Sequence, residues 1–177
     1  MTLTHQLRAD HDAILVGIGT VLADDPALTV RLVAGTNPRP VILDSDLRTP
    51  PTARVLAGAP WIATRLPQDD PAADALRRAG ADIATLPQSA DHRLDLPALL
   101  TWLHRRGIRS LMVEGGARVL TAFLAARLAD RLIITIAPRL VGGVHGVVAL
   151  PEAIPLHAVR YESAGDDLIL YAHIGRS

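Results

Sequence analysis

Arg8-Ala9-Asp10-His11-Asp12-Ala13-Ile14-Leu15-Val16-Gly17-Ile18-Gly19-Thr20-Val21-Leu22-Ala23-Asp24-Asp25-Pro26-Ala27-Leu28-Thr29-Val30-Arg31 decides the fold. The apolar run from Ala13 to Val16 reads as a buried strand, and it ends in Gly17-x-Gly19-Thr20. A strand that runs into glycines has a tip at which something approaches the backbone closely. A polar loop is expected to follow as far as Asp25-Pro26. An arginine stands at either end of the segment, and a guanidinium suits bidentate phosphate binding. For any single arginine, a solvated surface position remains the competing reading.

Outward from that stretch the pattern alternates. Val41-Leu43, Trp61-Ala63, Ile83-Leu86, Leu111-Val113 and Leu132-Ile136 are short apolar runs bounded by Gly, Pro or charge, as strands are. Between them lie helical segments. Asp70 caps a helix over Ala72 to Ala79, which opens on Pro71 and stops at Gly80. Asp95 caps a second from Leu96 to Arg106, with Gly107 beyond it, and Gly116 opens a third through Arg127. Strand-helix-strand alternation predicts an α/β fold with a parallel, doubly wound sheet in one domain over residues 1–177. Leu156-Glu162 and Asp167-Ile174, separated by the turn sequence Ser163-Ala164-Gly165-Asp166, predict a C-terminal antiparallel hairpin.

Composition narrows the chemistry. The chain has no cysteine, which excludes disulfides, thiolate metal sites and a cysteine nucleophile. It also has no lysine, since all 18 basic residues are arginine, so Schiff-base chemistry and the P-loop lysine are excluded. Net charge is zero and aromatic content 3%, so no nucleic-acid partner is expected. No apolar run approaches the ~20 residues of a membrane span and no basic-then-apolar leader is seen, so a cytoplasmic protein without membrane partners is expected. His5, His11 and His104 share no metal-ligand spacing, and Ser45 lacks a nucleophile-elbow context, so neither a metal site nor a serine hydrolase is expected.

Three strand ends carry glycines: Gly17-x-Gly19, Gly115-Gly116 and Gly142-Gly143. In a parallel sheet all three fall on its carboxyl edge, where open α/β sheets bind ligands. Gly115-Gly116 opens a helix whose free N–H groups suit a phosphate, or else only makes a tight turn against the sheet. Glu114 either hydrogen-bonds a heterocycle or accepts from a neighbouring loop.

Leu7-Arg8-Ala9, Asp12 to Gly17, Thr20 to Arg31 and Val113-Glu114-Gly115-Gly116 together resemble the reductase domain of the riboflavin-biosynthesis deaminase-reductase family. Ile136-Ala137-Pro138-x-Leu140-x-Gly142-Gly143 is similar to that family's last loop. The resemblance implies a dihydrofolate-reductase-like fold. It also implies NADPH-dependent reduction of the ring-opened ribose of a phosphoribosylamino-pyrimidine. By motif, Arg8, Leu28, Arg31 and Glu114 match the family's substrate positions. The arginines would then hold the ribose phosphate, and Glu114 would read the pyrimidine. Thr20, Asp24, Ser45 and the run Gly116, Ala117, Arg118, Val119, Leu120, Thr121 and Ala122 match its cofactor positions. Apart from the motif, the place of Thr64-Arg65 after the Trp61 strand makes it a candidate to meet the 2′-phosphate. No side chain is singled out as a proton donor, which leaves water. The family also implies a homodimer, with the Asp167-Ile174 strand as interface at a sheet edge. Its members carry a deaminase domain, and a further strand ahead of the His-x-Leu-Arg-Ala segment. This sequence opens at Met1-Thr2-Leu3-Thr4-His5, so the sheet is expected without that strand. A catalytically silent nucleotide-binding module is the alternative.

Overall fold

The computed structural model describes residues 2–140 and 146–175. The chain divides into two compact units, Met1–Gly116 and Ala117–Ser177.

The first unit opens with α1 (Thr2–Ala9), followed by β1 (Ala13–Gly17), α2 (Ile18–Asp24), β2 (Arg39–Leu43), a 3₁₀ turn at Arg54–Gly58, β3 (Trp61–Thr64), α3 (Pro71–Arg78), β4 (Asp82–Thr85), α4 (Leu96–Arg105) and β5 (Leu111–Val113). All five strands are parallel, in the order β4-β3-β2-β1-β5. Chain order thus runs one way across the sheet from β1 to β4 and then jumps back to the far side of β1. Right-handed crossovers place the connections of the two directions on opposite faces. One face carries Val21 of α2, Val55 and Leu56 of the 3₁₀ turn and Ala73 and Leu76 of α3, packed on Ile14, Val16, Ile42, Ile62 and Ile83. α4 covers the other face, where its Trp102 meets Trp61 edge-on at 5.2 Å. Trp61 alternates with Ile62 and so points away from that core.

The helix boundaries follow from local chemistry. Asp70 accepts from the N–H of Ala72 at 2.9 Å, and Asp95 from that of Ala98 at 2.8 Å, each with proline in the first turn. Gly80 and Gly107, at φ +97 and +87, take the left-handed conformation just past the ends.

The expected polar loop after Gly17 is instead α2. Gly17 is extended (φ −83) and Gly19 sits inside the helix, so neither glycine breaks the chain. Burial of Val21 in the core holds the turn, and Asp25, in the left-handed conformation with its N–H on the Val21 carbonyl, closes it before Pro26.

The second unit holds α5 (Ala117–Ala125), β6 (Arg131–Ile136), β7 (Leu156–Ala164) and β8 (Asp167–Ile174). Its sheet is antiparallel, in the order β6-β8-β7. The expected hairpin forms, with Gly165 (φ +66) first in a two-residue turn, where a type II′ turn needs glycine. Two expectations are corrected. β6 belongs to this antiparallel sheet and not to the parallel one, because its register is with β8, from Arg131 opposite His173 to Ile136 opposite Leu168. The Asp167–Ile174 strand is not a sheet edge, because both of its sides are paired, to β6 and to β7. Gly142-Gly143 lies outside the described residues.

Candidate active site

An open parallel sheet binds ligands where the direction of winding reverses, in the crevice beyond the carboxyl ends of the two strands involved. Here those strands are β1 and β5. Their ladder continues past β5, with the N–H of Glu114 on the Leu15 carbonyl at 2.9 Å, so Glu114 stands on the rim itself. Gly115 and Gly116 follow with φ of +74 and +78, a conformation that β-carbon-bearing residues rarely adopt. A Cβ placed on Gly115 would lie 3.5 Å from the Thr20 hydroxyl oxygen, so the glycine pair after β5 lies against the first turn of α2. The space beside Gly19 is open, with no atom within 4 Å of a notional Cβ.

Arg8 reaches this rim from α1. Its Nε and Nη2 donate to the two Glu114 oxygens at 2.9 and 2.6 Å, and its Nη1 donates to the Thr29 carbonyl at 3.2 Å. The arginine side chain is 10% exposed and the carboxylate 29%, so the forked pair is largely shielded from water. Of the two readings left open for Glu114, the carboxylate accepts from a neighbouring element, through a guanidinium 106 positions away. His5, one turn before Arg8 on α1, is buried and accepts the backbone N–H of Arg31 on Nδ1 at 3.0 Å. Burial lowers its pKa, the charges of Arg8 and Arg31 lower it further, and Glu114 acts in the opposite direction. Sequence reasoning missed this role for His5. Its partner is a backbone group 26 positions distant, and no local pattern marks it. The Arg31 guanidinium itself is exposed, with no ion-pair partner among the described residues.

Leu28 takes a left-handed backbone (φ 54) and is buried in the core as a whole residue, so its part is to shape the loop that carries Thr29 to Arg31. Ser45 follows β2 on the same carboxyl edge, where its carbonyl accepts from the Thr64 hydroxyl at 2.9 Å. Thr64 is fully buried and its hydroxyl also receives the N–H of Leu66, which keeps it from a phosphate. Arg65, after β3, forks one oxygen of Asp46 from Nε and Nη2 at 2.9 and 2.6 Å. That pair is exposed on both sides, at 42% and 49%. Asp24 lies at the far end of α2, about 10 Å along the helix from β1. In the second unit, Ala117 to Ala122 form the first six residues of α5. There the Thr121 hydroxyl donates to the Ala117 carbonyl at 2.7 Å and accepts from Val148 at 2.8 Å, and Arg118 is exposed. No metal-binding group of three or more His, Cys, Asp or Glu occurs among the described residues, and none of their helices is long and apolar enough to cross a membrane.

The family model for the RibD C-terminal domain matches residues 2–170. The chain belongs to this family. It is 40% identical to the 2,5-diamino-6-ribosylamino-4(3H)-pyrimidinone 5′-phosphate reductase of Methanothermobacter thermautotrophicus, over 94% of this chain and 81% of that protein. Among solved structures it resembles the riboflavin biosynthesis reductase of Saccharomyces cerevisiae, with a TM-score of 0.81 at 29% identity, covering 98% of this chain and 80% of that one. Against the RibD of Acinetobacter baumannii the TM-score is 0.82 at 25% identity, covering 99% of this chain and 50% of that one. As a RibD C-terminal domain the chain is an oxidoreductase, and membership implies a nicotinamide cofactor.

Proposed function

We propose that this chain reduces the ring-opened ribose of a phosphoribosylamino-pyrimidine to a ribityl chain with NADPH, in the cytoplasm, as a step of riboflavin synthesis. The observation that carries the reading is the Arg8–Glu114 fork at the β1/β5 switch point, with Arg31, whose guanidinium has no ion-pair partner among the described residues, held by its backbone on the same helix through His5. A carboxylate offers about four lone-pair positions, and Arg8 takes two, which leaves Glu114 able to accept from the N–H groups of a pyrimidine. Arg8 keeps two N–H groups beyond the three it uses, and the Arg31 guanidinium, with no ion pair among the described residues, offers its own to a phosphate. Arg8, Leu28, Arg31 and Glu114 thus make the substrate side of the proposal.

We assign the cofactor side to Thr20, Asp24, Ser45 and Gly116 in the first unit and, separately, to the opening of α5 from Ala117 through Ala122 in the second unit. The left-handed Gly115-Gly116 pair and the open space at Gly19 support it, since both leave backbone accessible to a bulky anion. Along the rim Glu114, Thr20, Ser45 and Arg65 follow neighbouring strands, so Glu114 and Arg65 stand about 14 Å apart, three strand spacings. Arg65 is the cation we assign to the 2′-phosphate. Its exposed pair with Asp46 is worth at most about 1 kcal/mol and exchanges readily. A bound nicotinamide supplies the hydride. The chain's own part is to hold pyrimidine and phosphate so that the ribose carbon faces the rim, which is most of what such catalysis requires.

The test is NADPH oxidation by the purified protein with the phosphoribosylamino-pyrimidine, alongside NADPH binding followed by fluorescence. Binding without substrate-dependent oxidation would leave a silent nucleotide-binding module, and no binding would remove both readings. Arg31→Ala is expected to raise the KM for the pyrimidine about 10- to 100-fold, the loss of one or two charge-assisted hydrogen bonds, with NADPH affinity unchanged. Equal loss of both affinities would mark Arg31 as a folding residue instead.

A further inference from the structure

α1 holds the Arg31 segment from one face. His5 and Arg8, one helical turn apart, are 6% and 8% exposed, and both reach the same stretch of backbone. Arg8 donates to the Thr29 carbonyl at 3.2 Å, and His5 accepts the Arg31 N–H at 3.0 Å. Between them the Val30 N–H donates to the Asn37 side-chain oxygen at 2.8 Å. Three successive residues are therefore pinned by side chains, and none of them belongs to a strand. An amide nitrogen only donates, so Nδ1 of His5 carries the lone pair and the neutral ring keeps its proton on Nε2.

We propose that His5 is a positioning residue for Arg31: as a neutral acceptor it fixes the Arg31 backbone and so aims the guanidinium at the substrate's phosphate. This rests on the reading of Arg31 as the phosphate-binding residue. Protonation of His5 would set one donor against another and release the segment. Among the described residues, the charged groups that bear on the ring are Arg8 on its own helix, Arg31 on the held segment and Glu114 at the end of β5. Burial opposes protonation first, the two arginines add to it and the glutamate acts against them, so the ring titrates below the ordinary imidazole range.

The experiment compares His5→Leu, His5→Asn and Arg31→Ala by KM for the pyrimidine phosphate, kcat and NADPH affinity, across pH. The Asn side-chain oxygen falls near the place of Nδ1 and does not become a donor on acidification. His5→Leu is expected to raise KM about tenfold, the worth of one lost hydrogen bond amplified by a loosened arginine, with NADPH affinity unchanged. His5→Asn is expected to restore most of that loss and to remove part of the acid rise in KM, leaving the part that belongs to the substrate phosphate. If Arg31→Ala raises KM while His5→Leu leaves it within about twofold, the positioning role is wrong and the Arg31 reading survives. If Arg31→Ala also has no effect, both fall. Should His5→Leu fail to fold, ¹⁵N spectra of the wild-type imidazole decide: a proton on Nδ1 at neutral pH overturns the proposal, and one on Nε2 supports it.

Discussion

Removing Arg8 should unlock the rim, and a double-mutant cycle with Glu114 measures by how much. The guanidinium makes two charge-assisted bonds to Glu114, at 2.6 and 2.9 Å, with side-chain exposures of 10% and 29%. Fully exposed pairs contribute up to about 1 kcal/mol, whereas breaking a buried one costs about 3–5. A pair this shielded, with the carboxylate partly wet, belongs near the lower end of the buried range. Arg8→Met should therefore cost about 3 kcal/mol, because it strands a carboxylate and takes a donor from the Thr29 carbonyl. In a chain of 177 residues that lowers Tm by about 6–12 °C. Glu114→Gln keeps one acceptor and loses the charge, for about 1.5 kcal/mol. The double variant should cost about 3 kcal/mol, a coupling of about 1.5. Urea unfolding followed by fluorescence suits the measurement, since Trp61 and Trp102 sit ring to ring between β3 and α4 and report loss of the first unit's packing. A coupling below about 0.5 kcal/mol would refute the argument, because the fork would then be a surface contact without consequence.

Two further outcomes follow from the same geometry. Gly115→Ala should cost about 1–2 kcal/mol by thermal melt from its positive φ alone, with Gly115→Asn losing less; equal losses would mean that backbone conformation is not the cause. The Asp12 carboxylate is held below its usual pKa first by the backbone N–H of Arg109, then by the N–H and hydroxyl of Ser110. Its contribution to stability is full above the ordinary carboxylate range and is lost as pH falls through the depressed native value. Asp12→Asn should flatten that acid limb in urea midpoints, and an unchanged limb would refute the assignment.

How much of the site was legible depends on how far each residue's partner lies along the chain. Asp70 and Asp95 could be read as caps because their partners are two and three residues on. Gly80 and Gly107 could be read as stops because a left-handed backbone is a local demand. The Gly17-x-Gly19 stretch misled for a related reason: glycine permits a break but does not enforce one, and burial of Val21 holds a helix there. From its neighbours in sequence Glu114 is an acid at a strand end with two open roles. That Arg8 answers it could not be read, with 106 positions between them. Nor did anything in the run Leu132-Ile136 say that it would pair antiparallel with a strand more than thirty residues later.

By itself the sequence determined the elements: the short apolar runs, the capped helices between them, the terminal hairpin, and the arginine-only, cysteine-free chemistry available to any site. These depend on hydrogen bonds and side-chain periods that span a few residues, which a linear reading can follow. Only the tertiary structure decided that β5 lies beside β1, that Arg8 forks Glu114, that His5 grips Arg31 and that β6 leaves the parallel sheet. Those choices are made by which surfaces can be buried together and which buried charges find partners, and that competition runs over the whole chain at once.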